Sequence, residues 1–285
     1  MSNTSNMSNT SNMSNTSNTN KIIDCFLFYN ELELLQYRLI VLDQHVDYFV
    51  IVESKQTFMG KEKPLFFEEN KSRYEPFLHK IIHIIIEMPF LHPNVDISKD
   101  HQWKNESHQR NSFARGLLQL QLTDTDLIII ADVDEIPNPV TLKFLQNKTV
   151  ETVLSFEQDF YYYNLNAKLK RKWYYSKILP FYVFKNLNMD AQAIRIFHGE
   201  SYVPKAGWHL SYFGNPSMIQ NKIQNFAHQD YNKDKYTSID MITKRIECFT
   251  DLFGRADHEF EKISTKNNDF LPPMAETLLK EYILF

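Results

Sequence analysis

The stretch "DLIIIADVDEIPNP", residues 126–139, decides how this chain is read. Leu127, three consecutive isoleucines and Ala131 form an unbroken apolar run of strand length, the pattern of a strand buried on both faces. Directly behind it, Asp132, Asp134 and Glu135 put three carboxylates into four positions. A chain leaving a core ordinarily turns on Gly, Asn or a single Asp. Asp132 and Asp134 are two residues apart, so at an extended strand end they point to the same side. Unpaired carboxylates that close repel each other, and one is driven toward its protonated form. A divalent cation removes that conflict, and hard oxygen ligands suit Mg²⁺ or Mn²⁺. The plain structural alternative is a helix start, with Asp134 as N-cap ahead of Glu135 and Pro137. It accounts for one acid and leaves the others unexplained.

Working outward, the upstream half alternates strand and helix patterns. "IIDCFLFYN" reads as a buried strand, and "ELELLQYRLIVLDQHV" carries Leu32, Leu35, Leu39 and Leu42 at helical spacing. "DYFVIVES" and "KIIHIIIEMP" are further strands, the second stopped by Pro89. "NESHQRNSFARGLLQLQL" shows one helical face through Phe113, Leu117 and Leu120. Apolar strands separated by helices predict an α/β fold with a mostly parallel central sheet and helices on both faces. Ligands of such sheets bind beyond the carboxyl ends of the strands, where the acidic cluster lies. Downstream, "TVLSFEQDFYYYNLN" reads as one or two strands, and "LPFYVFKN" and "AIRIFHGE" as more. "SMIQNKIQNFAH" and "SIDMITKRIECF" have helical stripes, Ile219, Ile223 and Phe226 in one, Ile239, Ile242, Ile246 and Phe249 in the other.

The ends differ from this pattern. Residues 1–20 repeat a six-residue Ser/Asn/Thr/Met unit that buries too little apolar area to offset its ordering entropy, so a disordered tail is expected. It contains sequons at Asn3, Asn6, Asn9, Asn12 and Asn15. Residues 21–254 are read as one catalytic domain, and 255–285 as an extension packing on it. The chain has 285 residues, 43% of them apolar, enough for such a domain. A net charge of −4 argues against a nucleic-acid partner, and "KLKRK" at 168–172 reads as a solvated face. Two cysteines, Cys25 and Cys248, cannot build a zinc site of the usual spacing and are read as reduced and inert. No apolar stretch reaches the length of a membrane span and no signal peptide or anchor is evident, which predicts a cytoplasmic or otherwise soluble protein. The 15 tyrosines, 22 phenylalanines and 3 tryptophans exceed what a core needs, and flat rings with polar handles suit sugars.

Two enzyme classes place D-x-D after an apolar strand. In haloacid-dehalogenase-like phosphatases the motif continues D-x-D-G-T, whereas here Glu135, Ile136 and Pro137 follow. In nucleotide-sugar glycosyltransferases of the GT-A fold the pair holds a metal on a diphosphate. The blocks "FYNELELLQYRL", "VDYFVIVESKQTFMGKEKPLFF", "WKNESHQRN", "DLIIIADVDEIPNP" and "KAGWHLSYFG" resemble, in this order, those of family 17 glycosyltransferases. That family comprises β-1,4-N-acetylglucosaminyltransferases acting on N-glycan cores, with bacterial, fungal and viral relatives. The resemblance runs from about Asp24 to Gly254.

The resemblance implies an inverting enzyme with UDP-GlcNAc as donor, Mn²⁺ or Mg²⁺ as cofactor and a glycan as acceptor. By similarity, Asp132 and Asp134 bind metal and donor, with Asp134 the direct ligand and Asp132 nearer the ribose. His209 is the third ligand and His228 its competitor. Asn30 and Glu53, at the tips of the first two strands, are expected near the nucleoside. Arg110 and Asn111 reach the donor, Arg110 as a fixed charge on phosphate. Inversion needs a base for the acceptor hydroxyl. Asp230 is the candidate, with Glu200, Glu157 and Asp159 as alternatives, while Trp208, Tyr212 and Phe213 offer stacking surfaces. The N-terminal repeat departs from the membrane anchor of the animal enzymes, which leaves the N-glycan acceptor open. A carbohydrate-binding protein without catalysis remains the non-enzymatic alternative.

Overall fold

The computed structural model describes residues 19–199 and 201–284. Most of the N-terminal repeat, its sequons and Glu200 therefore lie outside the described residues. Ten strands form one sheet: β1 (Ile22–Phe28), β2 (Tyr48–Ser54), β3 (Ile81–Ile86), β4 (Leu127–Asp132), β5 (Glu135–Pro137), β6 (Leu154–Tyr162), β7 (Asn164–Trp173), β8 (Lys177–Pro180), β9 (Tyr202–Ser211) and β10 (Phe260–Lys262). Its order is β10-β7-β6-β8-β4-β1-β2-β3, with β9 paired to β6 and β5 to β9.

The first half is parallel: β1 pairs with β2 and β4, and β2 with β3. Side chains of β1 alternate between two cores. Ile22, Phe26 and Phe28 pack with Leu35, Leu39 and Leu42 of the Leu32–Leu42 helix on one face. Ile23, Cys25 and Leu27 pack with Phe113 and Leu117 on the other. Each fully buried side chain of this size contributes about 1.5–3 kcal/mol, which is why apolar runs without alternation read correctly as strands covered on both sides.

The second half turns the sheet mixed. β8 runs antiparallel to β4 and β6, β7 antiparallel to β6, and β10 antiparallel to β7, while β6 and β9 are parallel. The expected mostly parallel sheet thus holds only for β1 to β4. The reason is connection length: β6 and β7 are joined at Tyr163 alone, which takes φ 68°, and such a short link allows only a hairpin. "LPFYVFKN" is not a strand. After Pro180 it becomes the Phe181–Asn186 helix, whose buried Phe181 and Phe184 are three apart. "AIRIFHGE" likewise begins in the Ala191–Ile196 helix, where the Asp190 carboxylate accepts from Ala193 N at 2.9 Å.

The C-terminal residues return onto the sheet. The Trp208 indole donates to Phe270 O, the Tyr37 hydroxyl to Pro273 O, and Leu284 N to the Asn166 side chain. "KLKRK" lies within β7 and is charge-paired, with Lys168 and Lys172 on Asp159, Lys170 on Glu259 and Arg171 on Asp257. Both cysteines are free thiols; Cys25 is buried, and burial followed by the Asp24 charge raises its pKa well above the usual thiol value. Among the described residues no helix is long and apolar enough to cross a membrane.

Candidate active site

Strand β4 ends at Asp132, side by side with Leu27 at the end of β1. The chain then reverses through Val133 and Asp134 and re-enters the sheet as β5, where Glu135 stands opposite His209 of β9. No helix begins at Asp134. The next helix, Pro139–Gln146, is capped by Asn138, whose side chain accepts from Val140 N at 3.0 Å. Two devices hold the reversal in place. Arg38, fully buried, grips both oxygens of Asp24 at 2.8 and 2.6 Å and donates to the carbonyls of Asp132, Val133 and Glu135. Gly207, with φ +147°, lets β9 press on β5; a Cβ there would stand 2.1 Å from Ile136 O.

The three carboxylates have three separate settings. Glu135 is fully buried and accepts from Arg195 twice, Ser176 Oγ, Trp173 Nε1 and Asp132 N, at 2.5–2.9 Å. Burial would raise its pKa, but Arg195 outweighs that and holds it below the ordinary value. Asp132 gives one oxygen to Arg110 at 2.7 Å and the other to Arg195 at 2.6 Å. Against the burial effect, Arg110 and then Arg195 hold its carboxyl low. Asp134 has Lys222 Nζ 3.1 Å from Oδ2 and His209 Nε2 3.6 Å from Oδ1. Burial opposes ionisation there too, and Lys222 followed by His209 overcomes it, keeping the carboxyl well below its usual range.

Asp132 and Asp134 line a cavity of about 500 Å³ at the carboxyl ends of β1, β2 and β4, a size usual for small-molecule sites. One wall, with Tyr29, Gln56 and Thr57, comes from the parallel half. The opposite wall is aromatic and comes from the second half, with Phe160, Tyr162, Trp173 and Tyr212. His209 sits between the two, its ring stacked on Phe160 at 4.6 Å and tilted over Trp173 at 4.3 Å. Its Nδ1 is buried without a hydrogen-bond partner.

Of the residues singled out from sequence, Asp132, Asp134, Arg110, His209, His228 and Tyr212 line this cavity. Arg110 is buried and fully engaged by Asp132, Glu106 and Gln192. Asn111 lies behind the wall, its side-chain oxygen accepting from Gln192 N. Glu53 is fully buried, accepting from Phe67 N and facing His83 and Lys63, and it does not line the cavity. Asn30 does not line it either; its neighbours Tyr29 and Glu31 do. Trp208 and Phe213 point into the core, because alternation along β9 sends His209 and Ser211 to the cavity and Trp208 and Leu210 away. Asp230 is exposed and outside the lining; Glu157 accepts from the Tyr174 hydroxyl, and Asp159 is bound by two lysines.

Sequence reasoning missed Arg195, Lys222, Glu31 and Arg38. Arg195 was hidden in a segment read as a strand, while Lys222 stands on the polar side of a correctly read amphipathic helix, Pro216–Asn225. Only Arg38 had a signal, a cation within an otherwise apolar helix face.

Among the described residues no three His, Cys, Asp or Glu side chains converge as a complete metal site. Asp134 Oδ1 and His209 Nε2, 3.6 Å apart, are the two groups that could hold a cation between them, with its other ligands left to a substrate. Asp132 fits a metal less well, as each of its oxygens already has an arginine.

An acid-bearing turn at the ends of parallel strands, opening on a cavity of substrate size, is where an α/β sheet binds its ligands. The family model for glycosyltransferase family 17 matches residues 2–276, and the chain belongs to that family. It is a glycosyltransferase, with a sugar donor and an acceptor, and the phosphatase and non-enzymatic readings fall away. No curated protein matches the chain.

Proposed function

We propose that this glycosyltransferase transfers GlcNAc from UDP-GlcNAc to a sugar hydroxyl of a glycan, with inversion, on a GT-A-type arrangement of its first four strands. The observation that carries the reading is the Asp134–His209 pair at the cavity wall, 3.6 Å apart, between a nucleotide-sized recess and an aromatic surface. A bound Mn²⁺ or Mg²⁺, held by Asp134 and His209, would offset charge growing on the departing diphosphate.

The chain's own groups do the rest. Tyr29, Gln56 and Thr57 surround the nucleoside end, where side-chain oxygens and amides read ring N–H and ribose hydroxyls. Asp132, fixed by Arg110 and Arg195, offers no free charge to the donor; it orders the turn from which Asp134 projects. Trp173, Tyr175 and Tyr212 present flat faces for the acceptor sugar. The acceptor hydroxyl attacks the anomeric carbon as the bond to the diphosphate breaks, and its proton goes to a base. His228 suits that role better than Asp230. It lines the cavity and rests edge-on against Trp103 at 4.5 Å, and an imidazole is an ordinary proton acceptor near neutral pH.

The test is UDP release from UDP-GlcNAc with Mn²⁺, Mg²⁺ or EDTA, followed by NMR of the linkage formed on a glycan array hit. Metal-dependent release and a β-linked GlcNAc are expected. Equal turnover in EDTA would remove the metal, preference for another nucleotide sugar would change the donor, and an α-linked product would overturn inversion.

A further inference from the structure

Lys222 stands where the chemistry of the site would not otherwise call for a cation. It projects from the Pro216–Asn225 helix into the cavity, with Nζ 3.0 Å from Glu31 Oε1 and 3.1 Å from Asp134 Oδ2. Glu31 and Asp134 come from the loops after β1 and β4, so one ammonium ties the ends of two neighbouring strands. The second Glu31 oxygen accepts from Asn30 N at 3.1 Å, which fixes the carboxylate toward Lys222. Two carboxylates thus face one ammonium, and a lysine so placed carries its ordinary positive charge near neutral pH.

We propose that Lys222 is the resident counter-ion of Asp134 and makes divalent-ion binding conditional on the donor's diphosphate. This rests on the metal-dependent reading given above. Asp134 presents Oδ1 to His209 and Oδ2 to Lys222, so an ion on the histidine side shares one carboxylate with an ammonium. Two like charges that near, in a site walled by aromatic rings, repel with little screening by water. A diphosphate changes the sign of the problem: its oxygens accept from the ammonium and ligate the ion together. Lysine suits this role because its charge sits on a flexible stem and can turn from carboxylate to phosphate, which a guanidinium fork does less readily. Metal and donor then enter as a unit, and the ion does not stay behind after UDP leaves.

The experiment measures free Mn²⁺ by electron paramagnetic resonance in titrations of the full chain, with and without UDP and no acceptor. The variants are Lys222→Met, Lys222→Gln and Lys222→Arg, each first checked by a thermal melt. Both neutral variants should bind Mn²⁺ at least tenfold more tightly than wild type without UDP, and the tightening produced by UDP should shrink by the same factor. Lys222→Arg should behave as wild type in the absence of UDP. If a folded neutral variant binds Mn²⁺ no more tightly than wild type, Lys222 is not a competitor and the inference fails, while the metal reading stands. If no protein binds Mn²⁺ even with UDP, and turnover survives EDTA, the metal reading itself fails.

Discussion

On one side of the Asp132–Glu135 turn, Glu135 is sealed from solvent and accepts five hydrogen bonds; on the other, Asp134 faces the cavity beside His209 and Lys222. Both carboxylates are held ionised by cations against the effect of burial. Glu135 is the more firmly held, with donors from Arg195, Trp173, Ser176 and the Asp132 backbone, whereas Asp134 faces Lys222 and His209. The difference teaches that adjacent acids of one motif can meet quite different sets of partners, Glu135 five donors and Asp134 one lysine and one histidine.

The sharpest way to break this division is Asp134→Asn. Turnover should fall by about 10²–10³-fold or more, the scale of losing one electrostatic stabiliser of a transition state, with a smaller melting shift than that of Glu135→Gln because Asp134 has fewer partners. Steady-state UDP release and calorimetry together decide it; retained turnover would move the chemistry elsewhere on the turn.

Glu135→Gln should do the reverse. Breaking a buried, multiply bonded ion pair costs about 3–5 kcal/mol, a melting shift on the order of 10 °C for a chain this long. The folded pKa of Glu135 is depressed, so its stabilisation is present above the ordinary value of 4.5 and is lost as pH falls through the lower folded value. Denaturant melts from pH 7 downward should therefore show the gap between wild type and Glu135→Gln closing below about pH 4. A constant gap would mean that shape, not charge, is what the glutamate contributes.

A smaller effect separates the histidines. His209→Ala should raise the Mn²⁺ concentration for half-maximal UDP release by roughly tenfold, the scale of losing one ligand-shell interaction. His228→Ala should leave that concentration nearly unchanged and lower turnover with acceptor. The opposite ranking would exchange their roles.

The last contrast sets Lys222, partly exposed at the cavity, against a fully buried lysine. Lys177 is fully buried, donating to Ser155 Oγ at 2.8 Å and Tyr174 O at 2.6 Å. Burial and then Arg195 pull its pKa down to about 8, with Glu135 only partly opposing. The folded protein holds this proton less tightly than the unfolded chain, so stability should rise as pH increases from about 8 toward 10.5. The rise should be about 1–3 kcal/mol and should vanish in Lys177→Met, as measured by urea melts at pH 7 and 10.

β1, β2 and β4 were legible as strands because each is covered on two faces and so needs an apolar run, and β3, though half-buried, kept the same isoleucine-rich pattern. The acids behind β4 were legible as a cluster in need of partners, because three charges after such a run cannot be left unpaired. His209 could be named as well, from the motif around it, although Trp208 beside it turned out to be a core residue. Sequence alone could not assign the second half, where short helices such as Phe181–Asn186 carry only two buried aromatics and imitate strands.

What the sequence by itself determined is therefore the α/β class, the parallel half with its acidic strand end, and membership of a glycosyltransferase family, since these rest on local periodicity and contiguous motifs. Only the tertiary structure decided which cations each acid meets. That depends on Arg38, Arg110, Arg195 and Lys222, which reach the turn from four separate helices. Electrostatic partnership acts through a few ångströms of space, and no spacing along a chain encodes it.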